Sequence, residues 1–209
     1  MTYPCVNDDH FEVRPDGVLT PQPWMQWRHL TGIEAPSKHN SYGVTGGSNK
    51  NDLLHDLQLN WLNNTPIDQW VYGLITRGGA RVSLQARSRG YLQVESGYKQ
   101  NSFSDPGPMV VCSRFGVGAD LGRGGTLAVG TTFGVIEERM NSVTFPLAPE
   151  RAGWYKLPPG QTICARTVVR FISEFWENTT IDGGTSGSES SYESGATRLD
   201  LFAVPVIPA

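Results

Sequence analysis

Between Arg81 and Glu95 the chain alternates with a period of two. Val82, Leu84, Ala86, Leu92 and Val94 fall on one parity, and Arg81, Gln85, Arg87, Arg89, Tyr91, Gln93 and Glu95 on the other. That period is the signature of β-structure with one face buried and one face wet, which points to an antiparallel sheet. A single strand of this length would exceed the usual span of about 3–10 residues, so the block is expected to be a hairpin. Because the apolar parity survives across it, the loop must hold an odd number of residues. Ser88, Arg89 and Gly90 fit a three-residue loop with Gly90 in the left-handed position, flanked by Arg87 and Tyr91.

A second strong signal runs from Thr162 to Phe175. Ile163, Ala165, Thr167, Val169, Phe171 and Phe175 share one parity, while the other mixes Arg166, Arg170 and Glu174 with Val168 and Ile172. This predicts a long central strand whose second face is partly covered. Arg198 to Val206 predicts the last core strand. Phe11 and Val13 suggest a short edge strand stopped by Pro15, Asp16 and Gly17. The proline-rich piece from Leu19 to Trp27 is expected to cross the surface, and the stretch from Ile33 to Asp52 to form a long loop. Leu57, Leu59 and Trp61 predict a strand ended by turn chemistry at Asn63 to Pro66, with Trp70 to Thr76 pairing next to it. Two more runs, Pro108 to Phe115 and Thr126 to Glu137, read as strands. Residues 178–196 are almost purely Gly, Ser, Thr, Glu and Asn around Tyr192, and predict a flexible exposed loop.

Taken together these signals predict an all-β chain: one antiparallel β-sandwich domain over residues 1–209, jelly-roll-like, with long Gly/Ser-rich loops. Low charge content, 18%, with abundant Gly and Pro suits many turns between short strands. No fixed repeat argues for a propeller or solenoid. A formal net charge of −3 gives no electrostatic case for nucleic acid. Between residues 77 and 100, Arg77, Arg81, Arg87, Arg89 and Lys99 face only Glu95; the ordinary reading is a solvated strand face, the sharper one an anion contact. Cys5, Cys112 and Cys164 form no framework, and Cys112 and Cys164 read as small core residues. No basic start with an apolar stretch opens the chain and no apolar window could span a bilayer, so cytoplasmic synthesis without membrane insertion is expected.

Chemistry is harder to find. His10, His29, His39 and His55 lack metal-site spacing. No nucleophile elbow surrounds Ser186, and the pair Gly116 and Gly118 is followed by Leu121 where a dinucleotide fingerprint needs glycine. Glu137 with Glu138 and Glu174 with Glu177 are the available carboxylate pairs for glycoside hydrolysis, the first weakened because adjacent strand residues point to opposite faces. The expectation is therefore no enzyme, no cofactor and no metal. Of the tryptophans, Trp61, Trp70 and Trp176 read as core or rim packing, while Trp24 and Trp27 are candidates for exposure. Candidate recognition residues are Trp24, Trp27, Tyr192, Arg87, Arg89 and Tyr91.

Three blocks then matter together: Leu19 to Met25 (LTPQPWM), Asn60 to Pro66 (NWLNNTP) and Arg198 to Pro205 (RLDLFAVP). In this order and spacing the chain resembles small minor tail proteins of long-tailed bacteriophages that infect actinobacteria. The resemblance implies a virion component of the distal tail, assembled as a symmetric homo-oligomer beside other tail proteins, with loops that contact the host envelope. It brings no active-site residue. The alternative is a carbohydrate-binding module for cell-envelope glycans, which would present a row of exposed aromatics on one sheet face. The alternating block offers only Tyr91 for such a row.

Overall fold

A computed structural model describes residues 11–22, 25–42, 49–85, 88–117, 135–147, 154–175 and 190–206. They form β1 (Phe11–Val13), β2 (Leu19–Pro21), β3 (Arg28–Ala35), β4 (Lys38–Ser41), β5 (Lys50–Leu62), β6 (Gln69–Arg77), β7 (Ala80–Gln85) and β8 (Ser88–Gln100). After these come β9 (Val110–Val117), β10 (Val135–Met140), β11 (Val143–Pro146), β12 (Trp154–Leu157), β13 (Thr162–Phe175), β14 (Ser191–Ser194) and β15 (Thr197–Pro205). All the pairing is antiparallel.

The ladder β11-β6-β15-β3 and the ladder β10-β7-β14-β4 have matching orders. Only Gly78 and Gly79 separate β6 from β7, Gly195 and Ala196 separate β14 from β15, Pro36 and Ser37 separate β3 from β4, and Asn141 and Ser142 separate β10 from β11. The two ladders are therefore one four-stranded layer creased along a line of two-residue breaks. Backbone bonding persists at the crease, where Gly78 N donates to Ala196 O at 2.7 Å and Gly195 N to Gly79 O at 2.8 Å. A Cβ at Gly195 would lie 2.6 Å from Gly79 O, so this close approach needs glycine.

The facing layer is β5-β13-β8-β9. Counting each creased pair as one strand, the sandwich strands pair first with eighth, second with seventh, third with sixth and fourth with fifth. That is a long hairpin rolled up, the eight-stranded jelly roll of two Greek keys. β12 follows β11 along the same edge of β6, and β1 with β2 forms a separate hairpin.

Apolar side chains from the two layers meet in two clusters, one on each side of the crease. One includes Leu57, Leu59, Val71, Ile75, Leu157, Ile163, Leu199 and Leu201; the other includes Leu54, Val82, Leu84, Leu92, Val94, Val169, Phe171 and Tyr192. Near the crease the inward side chains turn polar. His55 and Thr197 bond at 2.6 Å, and the buried Arg77 guanidinium donates to Ser194 Oγ at 3.3 Å. The turn after β5 is closed by Asn63, whose amide donates to Ile67 O and Leu157 O while its oxygen accepts from Thr65.

The strand from Thr162 to Phe175 lies between β5 and β8 with its second face partly covered, as its alternation requires. Other expectations need correction. Val82 and Leu84 do not belong to a hairpin with Leu92 and Val94: β7 and β8 lie in opposite layers and turn their apolar faces toward each other across the core. Gly90 is thus a strand residue rather than a loop residue. Alternation assigns each strand an apolar face, but it is identical for strands side by side and strands face to face. For the same reason β6 does not pair with β5 but faces it. The stretch from Ile33 to Asp52 contains the end of β3, all of β4 and the start of β5; the first two are largely exposed edge segments, so they lack apolar alternation.

Residues 191–194 of the expected loop are β14, held between β7 and β4, and Tyr192 is buried against Phe171 and Tyr42. Flanking polar residues hid a single inward aromatic that completes the core. Residues 178–189 lie outside the described residues. Arg77, grouped by sequence with the basic face, points inward and is wholly buried because β6 keeps its odd positions inside. Cys164 is buried, whereas Cys112 is only half-buried beside Ser96.

Candidate functional site

The outer face of the creased layer carries two contrasting rows. Outward positions of β12, β6, β15 and β3 are brought into line by register: Trp154 opposite Tyr72, Tyr72 opposite Phe202, Phe202 opposite His29. Each is outward because its strand neighbours, Tyr155, Val71, Leu201 and Leu30, turn to the core. Trp27, just before β3, completes the row.

Trp27 stacks on Phe202 with centroids 5.0 Å apart and planes 10° from parallel, and Tyr72 stacks on Trp154 at 4.9 Å and 24°. Tyr72 and Phe202 are tilted at 6.4 Å, and His29 meets Phe202 edge-on at 5.1 Å. Spacings close to the distance between neighbouring strands, about 4.8 Å, mean that the stacked rings stand upright on the sheet and show mostly their edges to solvent. Exposure is highest at the ends: Trp27 is 61% exposed and Trp154 38%. Next to Trp154, Trp70 is 39% exposed. Trp70, Trp154 and Val204 line an open hollow of about 330 Å³ whose surface is almost entirely apolar.

An ionic cluster flanks this row. Asp200 accepts from His29 Nε2 and from Arg198 Nε, each at 2.7 Å, and Gly32 leaves the room, since a Cβ there would sit 2.2 Å from Asp200 Oδ1. Burial pushes the Asp200 carboxyl up, yet the bonds from Arg198 and His29 hold it below the ordinary carboxylate range. A His–Asp pair can orient a general base. Among the described contacts, however, no hydroxyl or thiol bonds to the His29 ring.

Across the crease the outer face is charged. Arg81 stands opposite Arg139 on one side and Glu193 on the other. Glu137 draws both arginines, 2.6 Å from Arg81 Nη2 and 2.6 Å from Arg139 Nε, and bonds from Arg139 and Arg81 keep its carboxyl low. Glu137 is thus committed to ion pairs rather than poised as an acid.

Of the sequence candidates, Trp27 lies at one end of the aromatic row. Tyr91 is half-buried on the opposite layer, 5.4 Å beneath the Arg114 guanidinium. Arg89 lies on β8 in register with Glu174. Trp24, Arg87, Trp176, Glu177 and His10 lie outside the described residues. Tyr192 belongs to the core, so Trp27, Tyr91 and Tyr192 lie in three different places: the outer face of the creased layer, the opposite layer and the interior. His55, expected as an ordinary surface or cap histidine, is buried; burial, then Arg77 and Lys38, lower its pKa to about 4. Among the described residues no cluster of His, Cys, Asp and Glu could hold a metal ion, and no helix is long and apolar enough to cross a membrane.

Sequence reasoning missed Tyr72, Trp154 and Phe202, and it placed Trp70 in packing. Their outward parity was readable within each strand, but their alignment depends on pairing between distant segments.

A family model described as a domain of unknown function (DUF7172) matches residues 1–208. No curated protein matches the sequence. Two solved structures, of the Gt and Gx strains of infectious bursal disease virus, are similar at 12% identity with a TM-score of 0.31 each. These matches cover 99% and 96% of this chain but 43% and 40% of those chains, so the chain spans less than half the length of either.

Proposed function

The chain belongs to the DUF7172 family, a domain of unknown function, and we propose that it is a structural component of a bacteriophage virion, a minor tail protein that assembles through the aromatic face of its creased layer. The observation that carries this reading is the aromatic row from Trp27 to Trp154, exposed at both ends, with the apolar hollow beside it. Large exposed aromatics gathered on one face are unusual in a soluble monomer and are enriched where proteins meet. The jelly roll supports the reading only in a general way, because it serves viral capsid domains, lectins and cupins alike. The three sequence blocks that resemble phage tail proteins supply the phage setting and the distal-tail location.

The assembly reading is tested by sedimentation equilibrium of the purified chain beside a Trp154→Asp variant. Self-association that weakens in the variant while its circular dichroism stays that of a β-protein is the expected result. A monomeric wild-type chain at high concentration would refute it.

The second reading, a carbohydrate-binding module, is favoured by one observation: Trp27 is well exposed at the end of its stack. Upright rings in the middle of the row weaken it, because sugars stack on ring faces, and the hollow offers few polar groups for hydroxyls. Sedimentation of the labelled protein with actinobacterial envelopes separates the readings, since saturable binding lost in Trp27→Ala would favour the glycan and host contact.

A further inference from the structure

The hollow beside Trp154 has a chemistry that restricts its occupant. Its lining of Trp70, Trp154 and Val204 would strip water from a hydroxyl or charge without returning hydrogen bonds, so it fits an apolar side chain. On the described surface Phe103 is 61% exposed and has no ring partner.

The backbone around Phe103 is also held in place. It sits in the connection from β8 to β9, where Asn101 is left-handed (φ 57°) and its N–H donates to Thr162 O at 2.7 Å. Ser102 Oγ accepts from Asp105 N at 2.9 Å, Asp105 accepts from Gly107 N at 2.8 Å, and Lys99 pairs with Asp105. A ring carried on such a bonded loop docks with little further ordering of the backbone.

The loop lies over the outer face of β8, close enough that a Cβ on Gly97 would fall 2.8 Å from Pro108 O. That is the outer face of the β5-β13-β8-β9 layer, whereas the hollow opens on the outer face of the creased layer. Knob and hole are therefore on opposite faces of the sandwich. Each has one cation and one anion beside it, Lys99 with Asp105 and Lys156 with Asp68, so apposed copies meet without net like-charge repulsion. Exposed Val111 on β9, in register with Glu95, adds apolar surface to the same outer face.

We infer that copies of this chain join head to tail, the Phe103 ring of one seated in the hollow lined by Trp70, Trp154 and Val204 of the next. The inference rests on the assembly reading above. Such a contact is heterologous: repeated, it closes into a ring if the rotation permits and otherwise runs on as a filament.

The test uses three full-length variants, Phe103→Ala, Val204→Trp to fill the hollow, and Trp70→Ser to remove a wall should the larger residue disturb β15. Sedimentation velocity and native mass spectrometry are expected to show self-association at least about tenfold weaker in each. An equimolar mixture of Phe103→Ala and Val204→Trp should form a one-to-one heterodimer, because the first keeps the hollow and the second keeps the ring. Wild-type-like assembly of the folded single variants would overturn the head-to-tail contact while leaving the assembly reading intact. Loss of assembly in both with no heterodimer on mixing would also overturn it, in favour of a self-complementary contact. A wild-type chain that stays monomeric at about 100 µM would overturn the assembly reading and this inference together.

Discussion

The two halves of the creased layer each line the core with apolar side chains but differ in what they show to water: both carry ion pairs, and only one carries an aromatic row. One half presents Arg139, Arg81 and Glu193 with Glu137 satisfying two of the charges; the other presents Trp154, Tyr72, Phe202 and Trp27. Charges already paired at a wet surface gain little from being covered, and their desolvation would cost free energy. Aromatic surface gains roughly 25 cal/mol for each Å² removed from water. The same fold thus carries a face suited to solvent and a face suited to a neighbour, and outward residues alone make the difference.

Near the boundary between the halves His55 is buried neutral close to Arg77. Its folded pKa of about 4 lies below the ordinary 6.5, so the unfolded chain binds the extra proton first as pH falls. Stability from this group is complete above about 6.5, declines through the window down to about 4 and is flat below, a loss of about 3 kcal/mol. Urea unfolding from pH 7.5 to 4 checks this. An unchanged slope in His55→Gln between pH 6.5 and 4.5, above the range where the lowered carboxylates titrate, would remove His55 from the account.

Next in size is Arg77→Met. The guanidinium is fully buried, its Nε and Nη1 have no acceptor, and burial lowers its pKa to about 10. A side chain of similar length without charge is expected to stabilise the protein by about 1–3 kcal/mol. It should also narrow the His55 pH window, because a repelling cation is gone. Destabilisation would mean that the cation is part of what joins the two halves.

Across the rows themselves, Trp154→Asp should weaken self-association at least about tenfold, which is about 1.4 kcal/mol, with the fold retained. Arg81→Ala, its counterpart across the crease, should leave association unchanged by sedimentation equilibrium. Equal effects from both would erase the distinction between the faces.

Much of the fold was legible where the signal was local. β13 runs from Thr162 to Phe175, the segment its parity marked, and β15 covers most of the expected last strand. The turn at Asn63 to Pro66 followed from turn chemistry. Legibility failed where exposure erased the pattern, as in β3 and β4, and where one aromatic among polar residues, Tyr192, faced the core. It failed most for the candidate site, of which sequence singled out Trp27 alone.

By itself the sequence determined that this chain makes β-structure, because each strand's alternation and each turn's Gly, Pro or Asn act through neighbouring residues. Tertiary structure alone decided that β7 faces β8 instead of pairing with it, that Arg77 is sealed inside near a crease, and that aromatics from distant segments stand in one row. Those outcomes depend on cross-strand register and layer assignment, which are set by burial of the whole core at once.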